Sequence, residues 1–220
     1  MEAFENLPQR RPGDDPDLFR AGAEAAVAEF RQLVGERYTE GTLCRILASH
    51  PVATSRRAAA VALGLVGTMT SNATTAAALK DEDAIVRAAA VEALWDIWFR
   101  GDGADQGFEL RQAVELPDTD QRLAACDDVI RRHPDFAEAY NQRAIQHFNR
   151  GAYARSVADC EATLRLNPYH FGAAAGMGQC YLRMHKPRAA VRAFAHALDL
   201  NPDLANLKDV LDALRDTLGD

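Results

Sequence analysis

The chain has 220 residues, of which 48% are hydrophobic and 26% charged, with a formal net charge of −7. That balance is the composition of an ordinary soluble globular protein and excludes a disordered or fibrous chain. The charge is evenly spread, with 11 basic against 15 acidic residues in 1–102 and 14 against 17 in the rest, so neither half offers the basic stripe that phosphate contacts need and no nucleic-acid partner is expected.

The first sixteen residues, MEAFENLPQRRPGDDP, lack an apolar core and a small-residue cleavage site, so no signal peptide is expected. No apolar run reaches the length of a spanning helix, which predicts no membrane partner. Residues 1–14 are predicted to form a disordered tail. Asp15 is placed to cap a helix that starts at Pro16 and runs to about Tyr38. Its apolar residues Leu18, Ala21, Ala25, Val27, Phe30, Leu33 and Val34 predict packing as an N-terminal cap on the segment that follows.

Residues 42–98 contain a first repeat. Arg56, Ala58, Ala59, Ala62 and Leu63 recur 31 residues later as Arg87, Ala89, Ala90, Ala93 and Leu94. Asp83 is a predicted N-cap, and the Ala-rich stripes predict close helix approach. Helix A of the second copy, residues 71–79, is short and polar at its start. Trp95 and Trp98 fit core positions at the junction of the two arrays better than a ligand box. The pattern Leu79-x-Asp81-x-Asp83 before Val86-Arg87 resembles the HEAT-like repeat family.

A second period begins near residue 104. Pro134, Pro168 and Pro202 are 34 residues apart and close three similar phrases, RRHPDFAEAY, RLNPYHFGAA and DLNPDLANLK. A fixed period of this length points to stacked helical hairpins. One unit has helix A over about 137–150, a turn at Gly151-Ala152-Tyr153 and helix B over about 154–166. The next turns at His185-Lys186-Pro187, where proline stops one helix or starts another. Residues 104–136 form a degenerate copy with an irregular turn at Leu116-Pro117-Asp118-Thr119. Residues 203–218 carry a leucine stripe that suits a capping helix.

This second array resembles the tetratricopeptide (TPR) repeat family. The residues that carry the resemblance are Tyr140, Ala144, His147, Gly151, Ser156, Cys160, Thr163 and Pro168, then Ala174, Gly178, Tyr181, Ala190, Phe194, Ala197 and Pro202. Ala174 and Cys160 depart from the large and aromatic residues usual there. Together the two resemblances imply an all-α superhelical solenoid. Its expected domains are a HEAT-like domain with its cap helix over 15–101 and a TPR domain over 102–220.

No catalytic or metal constellation is found. Cys44, Cys126, Cys160 and Cys180 lack metal spacing and are read as small buried hydrophobes in a reducing cytoplasm. His147 fills a slot usually aromatic, and no HExxH, Gly-rich phosphate loop or GxSxG is present. The acidic run Asp81-Glu82-Asp83 suits a helix start. No metal, no cofactor and no catalysis are therefore expected.

The family resemblance implies a peptide-binding groove lined by helix A residues. In this chain these are Asn141, Gln142, Ile145, Phe148 and Asn149, then Ala175, Gln179, Leu182 and Arg183, with Arg111 from the degenerate copy. Asn141, Gln179 and Arg183 are expected on one exposed face, and Tyr140, Ala144, Gly178 and Tyr181 between helices. With Asn141, Ile145 and Ala175 at clamp positions, no basic clamp for chaperone tails is expected. The function implied is a non-catalytic, cytoplasmic scaffold that binds a protein or peptide. The alternative is an enzyme-associated subunit, since short Ala-rich HEAT-like repeats also resemble those of bilin lyases. Partner and oligomeric state are not encoded in any motif.

Overall fold

Twelve helices and no strand make up the described residues of a computed structural model, 16–101 and 103–219. The expected tail, the Asp15 cap and the side chains of Leu18 and Ala21 lie outside what is described. The chain divides into two units, 1–97 and 98–220.

The first unit contains α1 (Pro16–Arg37), α2 (Glu40–Ser49), α3 (Ala53–Val66), α4 (Asn72–Ala77) and most of α5 (Ala84–Arg100). Thr39 caps α2 by accepting from the Thr42 amide. Phe30 and Val34 of α1 are buried with Leu43 of α2 around a cavity of about 190 Å³. α4 is one and a half turns long, between 3-10 turns at Met69–Ser71 and Ala78–Lys80. Its Thr and Asn content disfavours a longer helix. Asp83 Oδ1 accepts from the Ile85 and Val86 amides at the start of α5, as its position predicts. Arg56 closes the unit. It donates twice to Asp81, at 2.8 Å each, and to the His50 carbonyl. This pairing holds the Asp81 carboxyl below its usual range. Gly64 explains the small residues: a Cβ there would lie 3.0 Å from the Ala93 Cα.

The second unit contains α6 (Ala104–Glu115), α7 (Thr119–Arg132), α8 (Ala137–Asn149), α9 (Tyr153–Leu166), α10 (Phe171–Arg183), α11 (Pro187–Leu200) and α12 (Ala205–Leu218), with Trp98–Arg100 at its start. Consecutive helices pack as hairpins at the 34-residue register. Small residues set the close crossings. Ser156 Oγ donates to the Ala144 carbonyl at 2.8 Å, and Gly178 lies against Phe194 so tightly that a Cβ would come within 2.3 Å of its ring. Ala190, Phe194 and Leu211 form a buried cluster supported by Tyr181, Leu207 and Leu214, so the C-terminal leucine stripe packs inward.

The turns explain the degenerate copy. Gly151 and His185, one period apart, both have positive φ, 72° and 56°. In each turn an amide reaches back five residues, from Ala152 to the His147 carbonyl and from Lys186 to the Tyr181 carbonyl. The equivalent residue one period earlier is Pro117, whose ring locks φ negative. That turn leaves α6 through an extended Leu116 instead, and Asp118 caps α7.

Candidate partner-binding face

α8 and α10 carry most of the predicted groove residues, and the structure joins their C-terminal ends. The Arg183 guanidinium of α10 lies 5.9 Å from the centre of the Phe148 ring of α8, and Phe148 meets Tyr153 edge-on at 5.4 Å. Ile145, one turn before Phe148, is 42% exposed. Gln179, Arg183 and Asn149 are exposed, and Ala175 and Leu182 half-buried. Arg183 makes no ion pair among the described residues. Its position over an aromatic face is a weak, displaceable contact. Arg111 is exposed on α6 with its guanidinium 5.7 Å from the Phe99 ring, and does not join this cluster.

Asn141 departs from expectation. It is 4% exposed and donates to Glu138 Oε1 at 3.0 Å. The reason is charge burial. Glu138 is 1% exposed, and a buried carboxylate is costly unless every oxygen is bonded. Gln142 donates to the same oxygen at 2.7 Å, and His170 Nε2 bonds Oε2 at 2.9 Å. The His170 tautomer follows from its other nitrogen. Nδ1 accepts from the Ala173 amide at 2.9 Å, and an amide can only donate, so the ring proton sits on Nε2. His170 thereby caps α10 and orders Glu138 together. Over this pair lies Trp98, stacked on the His170 ring at 4.2 Å and tilted against Phe171 at 5.2 Å. Trp98 is 2% exposed, a core residue as expected, while Trp95 is half-buried.

The face is therefore divided. Its beginning, at Glu138, Asn141 and His170, is filled from within the unit. Its end, at Ile145, Phe148, Gln179 and Arg183, is open. Glu138 and His170 escaped sequence reasoning. The signal was an acidic residue followed at i+3 and i+4 by two amides on a helix.

The other polar residues of α8 face α7 and α9. Arg143 donates to both oxygens of Asp159, at 2.9 and 2.6 Å, and to Asp127 of α7 at 2.6 Å, and these bonds hold its guanidinium above the usual range. Arg150 pairs with Asp120 of α7. Burial lowers the pKa of His147 beside Asp159. Tyr140 is half-buried rather than enclosed, with its hydroxyl donating to the Pro134 carbonyl. Tyr181 is also half-buried, while Ala144 and Gly178 are buried.

The cysteines are free thiols: Cys44 is half-buried, Cys126, Cys160 and Cys180 buried. Burial pushes Cys126 up to about 11 and Cys160 up to about 12, so both stay protonated and poorly nucleophilic. No described helix is long and apolar enough to cross a membrane. No three His, Cys, Asp or Glu side chains gather as a metal-ion site among the described residues.

Known proteins resemble part of the chain. A TPR repeat-containing protein of Rhizobium etli is 33% identical over 91 residues, which is 41% of this chain and 45% of that protein. Superkiller complex protein 3 of Mus musculus is 31% identical over 93 residues, 41% of this chain and 6% of its own length. The chain thus spans less than half the length of these relatives. Among solved structures, the first TPR domain of Spaghetti (RPAP3) bound to an HSP90 peptide aligns with a TM-score of 0.48 at 16% identity, over 53% of this chain and 92% of that one. No protein-family model matches the chain. A relative named for its TPR repeats supports the TPR resemblance read from the 34-residue register.

Proposed function

We propose that this chain is a non-catalytic scaffold of TPR type that binds an extended segment of another protein across the open end of the α8–α10 face. The observation that carries this reading is Ile145. A β-branched apolar residue stands 42% exposed in mid-helix beside Phe148 and Arg183, on helices whose other faces are packed. An extended segment would set an apolar side chain on Ile145 and Phe148. Exposed Gln179 and Asn149 carry amides that can both donate to and accept from its backbone, and Arg183 would meet an acidic group. Ala175 lies along the same path. Asn141 and Gln142 serve the reading indirectly, by fixing Glu138 beneath the closed end.

The first unit is proposed to be HEAT-like, on its 31-residue repeat, the Asp83 cap and the close Gly64–Ala93 approach. A reducing, cytoplasmic setting suits the free buried thiols. The test uses the protein as bait in its native lysate, beside the double variant Ile145→Glu, Arg183→Glu, with captured proteins quantified by mass spectrometry. The expected result is a partner depleted at least tenfold by the variant at unchanged melting temperature, since exposed changes shift stability by less than about 0.5 kcal/mol. Equal capture by both proteins refutes the assignment to this face.

A further inference from the structure

The flank of α6 and α7 that faces away from α8 holds a cleft of about 500 Å³. Its counterpart one period on is bridged by ion pairs. Arg143 of α8 and Arg150, the residue that ends it, are paired with Asp127 and Asp120 of α7, and Gln146 between them is 6% exposed. Counting back 34 residues, these three positions are Glu109 of α6, Leu116 just past its end, and Gln112 of α6. There Gln112 is exposed, and Phe108 at the head of the row is 59% exposed, the most open large apolar side chain among the described residues. This flank keeps Phe108, Leu116 and Val129 around its cleft.

The geometry says what would cover it. On α8 the covering element is a helix, α7, which offers carboxylates seven residues apart to two arginines. On α6 those arginines are replaced by a carboxylate, Glu109, and an apolar residue, Leu116. The rim also holds Asp105 and Asp128 against a single guanidinium, Arg132, which pairs with Glu109. We propose that this flank docks an amphipathic helix of a partner protein, bearing an apolar residue and, seven positions on, a basic residue, in the seat that α7 takes on α8. A second copy of this chain is disfavoured, because a two-fold contact would set the acidic rim of Asp105, Glu109 and Asp128 against its own copy.

The probe is a side-chain-bridged helical peptide with the sequence of α7, Thr119–Arg132, carrying Asp120→Leu, Asp127→Lys and Cys126→Ser. The bridge is needed because so short a helix is marginal in water. Its binding to the full chain is followed by fluorescence anisotropy, beside a bridged α7 peptide with Cys126→Ser alone. The altered peptide is expected to bind at least tenfold more tightly, to weaken with salt, and to lose at least tenfold in affinity on the variant Phe108→Asp. That variant adds negative charge, so unspecific attraction of a basic peptide would hold or rise. Unchanged or stronger binding to it overturns the proposal, as does equal binding of the two peptides. Light scattering that shows a dimer abolished by Phe108→Asp overturns it in favour of self-association. A fall of more than about 5 °C in the variant's melting temperature would mean that the face is already covered within the chain, and would overturn it too.

Discussion

Gly178 and Gly176 lie two residues apart on α10 and illustrate how local the constraints are. A Cβ on Gly178 would meet the Phe194 ring at 2.3 Å, whereas one on Gly176 finds only the Cys160 sulfur at 3.8 Å. Both are helical, so alanine lowers the backbone entropy cost of folding in each. At 178 overpacking wins. Gly178→Ala is expected to destabilise by about 1–3 kcal/mol, and Gly176→Ala to stabilise by about 0.5–1 kcal/mol. Denaturant melts of the two variants check the pair, and a stabilised Gly178→Ala would show that α10 and α11 can separate at no cost. The position of Gly178 was legible because packing repeats with the period. That of Asn141 was not. Its exposure depends on Glu138, which needs His170, 32 residues further on, to complete its shell. A reading of one helix at a time sees an amide on an outer register and has no means of knowing that a buried charge claims it.

Among the elements, the hairpin turns separate the regular copies from the degenerate one. Gly151 takes φ 72° without strain, His185 takes φ 56° with a side chain, and Pro117 cannot take it at all. A non-glycine residue in the left-handed region costs roughly 1–2 kcal/mol. His185→Gly is therefore expected to raise stability, by about 1 kcal/mol after the larger entropy loss of glycine. A lower melting temperature for this variant would assign the exposed imidazole a stabilising contact. The irregular turn at 116–119 was visible in the sequence, and its cause, a proline where positive φ is required, follows from the register alone. The helix boundaries of α8 and α9 fall within one residue of expectation, since caps and turns are local. α4 was flagged by its polar start, yet its division into a short helix between two 3-10 turns is set by packing that no local pattern records.

For the whole molecule, the first unit ends at Ile97 and the second begins at Trp98, inside α5. The expected boundary at 101–102 lies four residues beyond this helix-internal division. Composition marks the Gly-rich connection after Arg100, but the partners of Trp98 and Phe99 lie far along the chain. Trp98 stacks on His170, and Phe99 supports the cluster of Leu110, Cys126, Val129 and Phe136. A fragment of residues 103–220 is thus expected to be less stable than one of 98–220, on the order of 3–5 kcal/mol, the usual cost of losing a large buried aromatic. Equal stabilities in urea would mean that the two rings contribute nothing to the second unit.

Trp98 is one of only two tryptophans, and it rests on an imidazole whose orientation depends on Glu138. The emission of an indole stacked in a buried site differs from that of one in water, and it changes when the stack opens. The protein thus carries an optical label at the closed end of its candidate binding face. Emission from Trp98, read in a Trp95→Phe background, would register any segment that reaches past Ile145 to displace the indole, and would stay silent for one that stops at Arg183.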